Sequence, residues 1–502
     1  MTERLKVLLD MRPSLDGHSG IPQEARLLFR GLSGLDSVDA LGLIQSGNLP
    51  LDDGLPLQRG RIKPGLSPAE QFDRLSRVVV SLQQGPLTHR LERRRRLLLA
   101  RLSPLLATLG SQFGRRVPLT GFVPTHFKDF VWRAMFARTL PVEDLDLVTS
   151  REFRVLRWPW STLNAVGVLS APLGRALYPR LDTDGVDVFI AETPFPGRVS
   201  GRTRMVVRYH DAIPLLMPHT IKDRGYHRAM HFHALQRNAR DGAWFACVSD
   251  ATRRDLLTFM PGLEARAVTI PNMVSDHYFP ETAGAQRVAE IIRSRKNFDA
   301  PGDGGAALAH EHQGPQGLPY LLMVSTVEPR KNHLGLLDAW ETLRSTGFPD
   351  LQLVIVGSLG WSSEAILQRF TPWLRREGLH LLQDVPAADL RLLYRHAKVT
   401  VCPSFGEGFD FAGVESMRCG GVVAASDIAV HRDVYADAAA YFNTYSSQDM
   451  GQVLARLLSP AADAERQTLR DAGQRVSARY LPREVMPQWQ SFLQRVAGQQ
   501  DA

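Results

Sequence analysis

A chain of 502 residues with 44% apolar side chains is too long for one ordinary hydrophobic core and rich enough to build two or three. Its cysteines, Cys247, Cys402 and Cys419, have no paired spacing, which excludes a disulfide framework and points to a reducing compartment. The net charge of +8 asks for an anionic partner, but no zinc-finger, RNP-type or basic-zipper pattern is present and nucleic acid is not the expected one.

The apolar run after Met1 is too short for a signal peptide, and no stretch reaches the roughly 18 apolar residues of a spanning helix. The expected location is cytoplasmic, or peripheral at the inner face of a membrane. Lys6 to Leu9 reads as a buried strand ending at Asp10, followed by a loop holding Gly17 and Gly20 and a helical pattern through Leu27, Leu28 and Leu32. Strand, glycine loop and helix open a Rossmann-like unit, although the spacing is not the dinucleotide G-x-G-x-x-G.

From about residue 59 to 182 the pattern is harder to place. Residues 91–102, with Arg93–Arg96 inside them, make a basic helix candidate, and residues 127–138 interleave large apolar and basic side chains. Both suit an anionic membrane surface; the alternative is an apolar face in the core and a solvated basic face. Regularity returns with strands near 186–192 and 205–209, the second running into His210-Asp211-Ala-Ile-Pro-Leu215. Both strands end in loops, where open α/β sheets carry their chemistry. A strand and helix follow, with Ser249 or Asp250 as helix cap, and a last strand near Val268 closes this half. His231 and His233, and His310 and His312, lack partners at ligand spacing and read as non-ligands. Residues 286–317 hold a short charged helix candidate and then linker composition.

Beyond the linker, strands near 320–325, 351–357, 379–382, 398–402 and 422–426 alternate with helices, which means a second parallel doubly wound sheet. Arg330 and Lys331 stand at a strand's carboxyl end, where they suit a pyrophosphate. In Ser404-Phe-Gly-Glu407-Gly408-Phe409-Asp410-Phe-Ala-Gly-Val-Glu415, glycines flank Glu407 and permit close backbone approach. The turn feeds a helix N-terminus, a natural phosphate position, between two carboxylates able to hold sugar hydroxyls.

The glycine loop, the His-Asp-x-Ile-Pro-Leu run, Glu-Pro-Arg330-Lys331-Asn and Glu407-x7-Glu415 occur in one order that resembles glycosyltransferase family 4, in particular its mannosyltransferase-like group. Members are retaining enzymes of the GT-B fold. The resemblance covers the N-terminal loop, the His-Asp run and nearly all of residues 318–445, and it does not reach 59–182. It implies two Rossmann-like doubly wound domains facing across a cleft. Residues 1–285 would be the acceptor domain with an insertion at about 59–182, 286–317 a linker, 318–480 the donor domain, and 481–502 a helix returning to the first domain.

The implied reaction moves a hexose, mannose among the candidates, from a nucleotide-diphosphate sugar to a hydroxyl of a glycan or lipid-linked acceptor, in cell-surface polysaccharide or lipopolysaccharide synthesis. Arg330 and Lys331 would take the leaving-group charge, Glu407 the sugar, Glu415 the ribose hydroxyls, and His210 would orient the sugar. Gly17, Gly20, Asp211, Gly408, Phe409 and Asp410 would complete the donor site, with no metal cofactor expected. Members often carry Gly-Arg where this chain has Ser325 and Thr326, which shifts phosphate charge to Arg330. Asp410 and Ala412 replace a frequent Gly and Pro, and Asp410 would bring a negative charge near the sugar. A GT-B-fold epimerase, a phosphorylase or a non-catalytic sugar-nucleotide binding protein are the alternatives.

Overall fold

The computed structural model describes residues 4–17, 20–83, 108–110, 113–282, 284–295, 318–376 and 378–498. Two open sheets organise them. The first is built from β1 (Leu5–Asp10), β2 (Val38–Ile44), β5 (Thr120–Phe122), β6 (Phe153–Val155), β7 (Val188–Ala191), β8 (Arg204–Tyr209), β9 (Trp244–Cys247) and β10 (Ala267–Thr269). A separate antiparallel hairpin joins β3 (Leu57–Gln58) to β4 (Arg61–Ile62). The strand order is β10-β9-β8-β7-β1-β2-β6-β5, parallel throughout except for β5 at the edge. Val7, Leu8 and Leu9 on β1 and every residue of β7 are fully buried, the mark of a sheet covered by helices on both faces.

The second sheet contains β11 (Tyr320–Val324), β12 (Gln352–Val356), β13 (Leu379–Leu382), β14 (Val399–Cys402), β15 (Val423–Ser426) and β16 (Ala439–Phe442). Its order, β13-β12-β11-β14-β15-β16, is parallel across every pair. Chain direction through the sheet reverses between β11 and β14, so the loops leaving these two strands diverge and open a crevice at their carboxyl ends. The first sheet reverses between β1 and β7, and its crevice faces the other. The expected two-sheet architecture is therefore present.

The helix Pro482–Gly498 runs back to the first domain. Val485, Trp489, Phe492, Leu493 and Val496 recur at helical spacing and join the core that holds Phe29, Leu32 and Trp244. Gly31 lets the two helices touch: a Cβ there would collide with Met486 Sδ. Contacts also close the domains on each other at the rim of the cleft. Trp361 Nε1 donates to Thr220 O at 2.8 Å, and Arg254 pairs with Asp433 at 3.0 Å.

Two stretches that the sequence left less defined are placed here. In the stretch 127–138, helix Lys128–Val131 widens into a looser turn over Trp132–Phe136. Val131, Trp132, Met135 and Phe136 are buried in the core of the first domain, and Phe136 stacks on Phe29 with centroids 5.5 Å apart. The apolar face is thus consumed by the core, while Arg133 stays exposed beside Asp129, so this face is not free for a membrane surface. The short charged helix candidate expected at the start of 286–317 is present as Gln286–Ser294, because Val288, Ile291 and Ile292 fall on one face and pack into the second domain's core.

Residues 91–102 and 296–317, with His310 and His312, lie outside the described residues. His231 is a half-buried histidine, 3.3 Å from the Tyr209 hydroxyl. Among the described residues no helix is long and apolar enough to cross a membrane.

Candidate active site

The crevices meet in a cleft of about 560 Å³. Gly17, Gly20, His210, Asp211, Arg330, Lys331, Glu407, Gly408, Phe409, Asp410 and Glu415 all line it, together with Gln23, Arg138, Tyr278 and Glu328.

The cationic centre is assembled at the switch point of the second sheet. After β11 the chain makes one tight helical turn, Pro329–Lys331, and Asn332 adopts a left-handed conformation with φ 58°. Asn332 Oδ1 caps the next helix by accepting from Gly335 N at 3.2 Å, while its Nδ2 donates to Pro403 O at 3.1 Å and ties this loop to the one after β14. Arg330 and Lys331 are thereby aimed at Glu407. Lys331 Nζ lies 2.6 Å from Glu407 Oε1, and Arg330 Nη1 lies 2.8 Å from Glu407 Oε2. Arg330 Nη2 also reaches Glu328 Oε1 at 2.8 Å, and Nη1 donates to Gly406 O at 2.5 Å.

Burial opposes the charge on Glu407, yet the two cations outweigh it and hold the carboxyl below its usual range. On Glu328 burial wins and raises the carboxyl. Arg330 is likewise opposed by burial but held firmly protonated by Glu407 and Glu328. Gly408 has no room for a side chain, since a Cβ would collide with the His210 carbonyl from the facing domain.

Beneath the facing wall lies a polar layer. Alternation along β8 places Arg208 and His210 on the same side of the sheet. Arg208 is fully buried, 2.9 Å from Glu24 Oε1, 2.7 Å from Asn272 Oδ1 and 2.5 Å from Ile270 O. His210 Nε2 lies 3.1 Å from Oε2 of Glu192, the residue directly after β7. Burial pushes Glu192 up to about 8 and His210 down to about 4, so near neutrality the contact is a hydrogen bond between uncharged groups. Burial also raises Glu24 against the pull of Arg208, and it raises neighbouring Asp10. Asp211 precedes the short helix Ile213–Leu216, its Oδ1 accepting from Ile213 N at 3.0 Å.

Glu415 rides on the helix Phe411–Arg418 and is 4% exposed. Its Oε1 accepts from Gln23 Nε2 at 2.9 Å and its Oε2 from the Tyr394 hydroxyl at 3.0 Å, with Tyr278 a further donor. Burial pushes this carboxyl up to about 7. Asp410 caps the same helix, Oδ1 accepting from Ala412 N at 3.1 Å, and its Oδ2 lies 3.3 Å from His431 Nε2. Burial would raise Asp410, but His431 and Lys331 outweigh it and keep it well below the carboxylate range. Its charge is therefore already engaged by a helix end and an imidazole on the protein side. Phe409 packs edge-on against Phe411 and Tyr480, with centroids 5.1 and 5.2 Å away. Gly17 and Gly20 have φ of 68° and 74°, a conformation that favours glycine.

The sequence reading missed Gln23, Glu24, Glu192, Arg208, Asn272 and Glu328. The available signal was charge in unexpected places: an arginine inside a buried strand and a glutamate at the end of another.

Residues 308–476 match the family described as glycosyl transferases group 1. The O-antigen chain mannosyltransferase B of Escherichia coli is 28% identical over 236 residues, which cover 47% of this chain and 56% of that protein. A serotype-specific mannosyltransferase of the same species is 32% identical over 143 residues, 28% of this chain and 17% of that protein. The chain thus spans about half of the first relative and less of the second. A solved sucrose-phosphate synthase from Thermosynechococcus elongatus superposes with a TM-score of 0.58 at 15% identity, over 99% of this chain and 100% of that one, a likeness of fold with GT-B architecture.

Proposed function

We propose that this chain, whose residues 308–476 match the glycosyl transferases group 1 family, is a retaining glycosyltransferase acting on a nucleotide-diphosphate sugar. The acceptor is a hydroxyl of a glycan or lipid-linked glycan in cell-surface polysaccharide synthesis. The observation that carries the reading is the Lys331–Glu407–Arg330 cluster, held in the crevice at the switch point of the second sheet and facing His210. The mannosyltransferase relatives favour mannose as the transferred hexose, and retention follows from the family likeness.

The chemistry separates a sugar from a pyrophosphate, so negative charge grows on the leaving group while positive charge grows on the sugar ring. Arg330 and Lys331 exchange Glu407 for phosphate oxygens and neutralise the first. Glu407, released from one or both cations, accepts sugar hydroxyls beside the second. His210, fixed through Nε2 by Glu192, keeps Nδ1 for a ligand in the cleft. Two cations already face the pyrophosphate, so the expected donor complex needs no divalent metal.

Thermal stabilisation by a panel of nucleotide-diphosphate sugars, first without and then with a divalent metal, tests this. Binding at roughly 100 times Kd adds about 2.7 kcal/mol of stability. One nucleotide should stand out without metal and lose its effect in Lys331→Ala. Transfer should fall by orders of magnitude in Glu407→Gln and Lys331→Ala with folding intact. Transfer retained in both variants refutes the site.

A further inference from the structure

Gln23 and Glu415 are 392 residues apart, belong to opposite domains, and meet across the cleft at 2.9 Å with 5% and 4% exposure. Gln23 stands in the first turn of the helix Ile21–Ser33, directly after the loop carrying Gly17 and Gly20. Its amide lies on the carboxylate to which the donor-site reading gives the ribose. From this geometry we infer that Gln23 is a gate on the ribose position, occupying Glu415 in the empty enzyme and displaced when a nucleotide binds.

Counting acceptor positions supports it. A ribose 2′,3′-diol grips a carboxylate best by giving one hydroxyl to each oxygen, and each oxygen has two lone pairs. Oε2 already accepts from Tyr394, with Tyr278 a further donor to the same carboxylate, and Oε1 accepts from Gln23. The tyrosines cannot be the ones to leave. Both are held in the hydrophobic core packed on the second sheet, their rings edge to face with centroids 6.1 Å apart, although Tyr278 also reaches the cleft wall. Gln23 is the movable donor: its side chain belongs to none of the hydrophobic cores, it comes from the other domain, and it lines the open cleft.

This inference rests on Glu415 being the ribose acceptor, and the experiment separates the two. Affinities for the nucleoside diphosphate selected by the stabilisation panel, for its 2′-deoxy analogue and for inorganic pyrophosphate are measured on the full chain, unmodified and as Gln23→Ala and Gln23→Leu. The leucine variant keeps the packed volume in case alanine loosens the helix. Removing a buried hydrogen bond that competes with the ligand should tighten the nucleoside diphosphate by roughly five- to tenfold. The gain should shrink for the 2′-deoxy analogue and vanish for pyrophosphate, which has no ribose. Hydrogen exchange in residues 20–24 should rise in both variants, with or without ligand. Unchanged or weaker nucleotide binding in both variants overturns the gate and leaves the donor site standing. A chain that binds no nucleoside diphosphate in any form overturns the donor-site reading and the gate with it.

Discussion

Replacing Glu407 by glutamine should separate binding of the leaving group from transfer. Arg330, Lys331, Glu407 and Glu328 carry two positive and two negative formal charges within contacts of 2.6 to 2.8 Å, so the cluster is neutral and self-satisfied before any ligand arrives. Glu407→Gln leaves one net positive charge. For a phosphate about 6 Å away at an effective dielectric constant near 20, one unit charge contributes about 3 kcal/mol. Solvent and salt in an open cleft reduce this to roughly 1–2 kcal/mol, or about tenfold in affinity. The variant should therefore bind inorganic pyrophosphate more tightly than the unmodified protein, and the advantage should shrink as salt is added. Sugar transfer should fall by orders of magnitude, because the hydroxyl-accepting carboxylate is gone. Calorimetric titration with metal-free pyrophosphate at two salt concentrations reads the first effect, and product formation reads the second. Weaker or unchanged pyrophosphate binding in a folded Glu407→Gln protein would refute the view that Glu407 competes with the phosphate for these cations.

Removing Arg208 should be costly, since Arg208→Met strands a buried Glu24 and two further acceptors; about 3–5 kcal/mol is expected in urea unfolding. Adding Glu24→Leu should recover much of it, and a double variant as unstable as the sum of the single losses would count against the pairing. Glu192 holds its proton more tightly folded than unfolded, so its contribution is complete below about pH 4.5 and is lost as pH rises through about 8. Relative to the unmodified protein, Glu192→Gln should remove a stability slope of at most about 1.4 kcal/mol per pH unit across that window, and parallel stability–pH curves would reject the assignment. Asp410→Asn keeps a helix-capping side chain and Asp410→Ala does not, so alanine should cost about 1 kcal/mol more. Donor preference should be the same in Asp410→Asn as in the unmodified protein; a changed sugar preference would show that the carboxylate faces the donor.

The sheets were legible because parallel strands buried on both faces are short apolar runs, and the site motifs were legible because they lie in the loops leaving those runs. Glu407 stands 76 residues after Lys331 in sequence, and the strand reversal between β11 and β14 brings it to the Arg330–Lys331 pair. What sequence could not supply was the identity of partners across long separations. Arg208 stood in a predicted strand, but nothing along the chain indicated that its counter-charge was Glu24, 184 residues earlier. Gln23 had no reason to stand out until the domains closed. The stretch 127–138 stayed open between two readings for a different reason: an apolar helical face looks the same whether core or lipid covers it, and only Phe29 and Phe153 on neighbouring elements decide for the core. Asp410 carries two signals at once. An aspartate directly before an apolar helix is a capping pattern, and its Oδ1 is found on that cap while the residue also lines the cleft. Arg330, Lys331 and Glu407 converge because their loops leave the paired strands β11 and β14. Charge read from sequence says less about Asp410, because a carboxylate beside a helix start also satisfies the backbone.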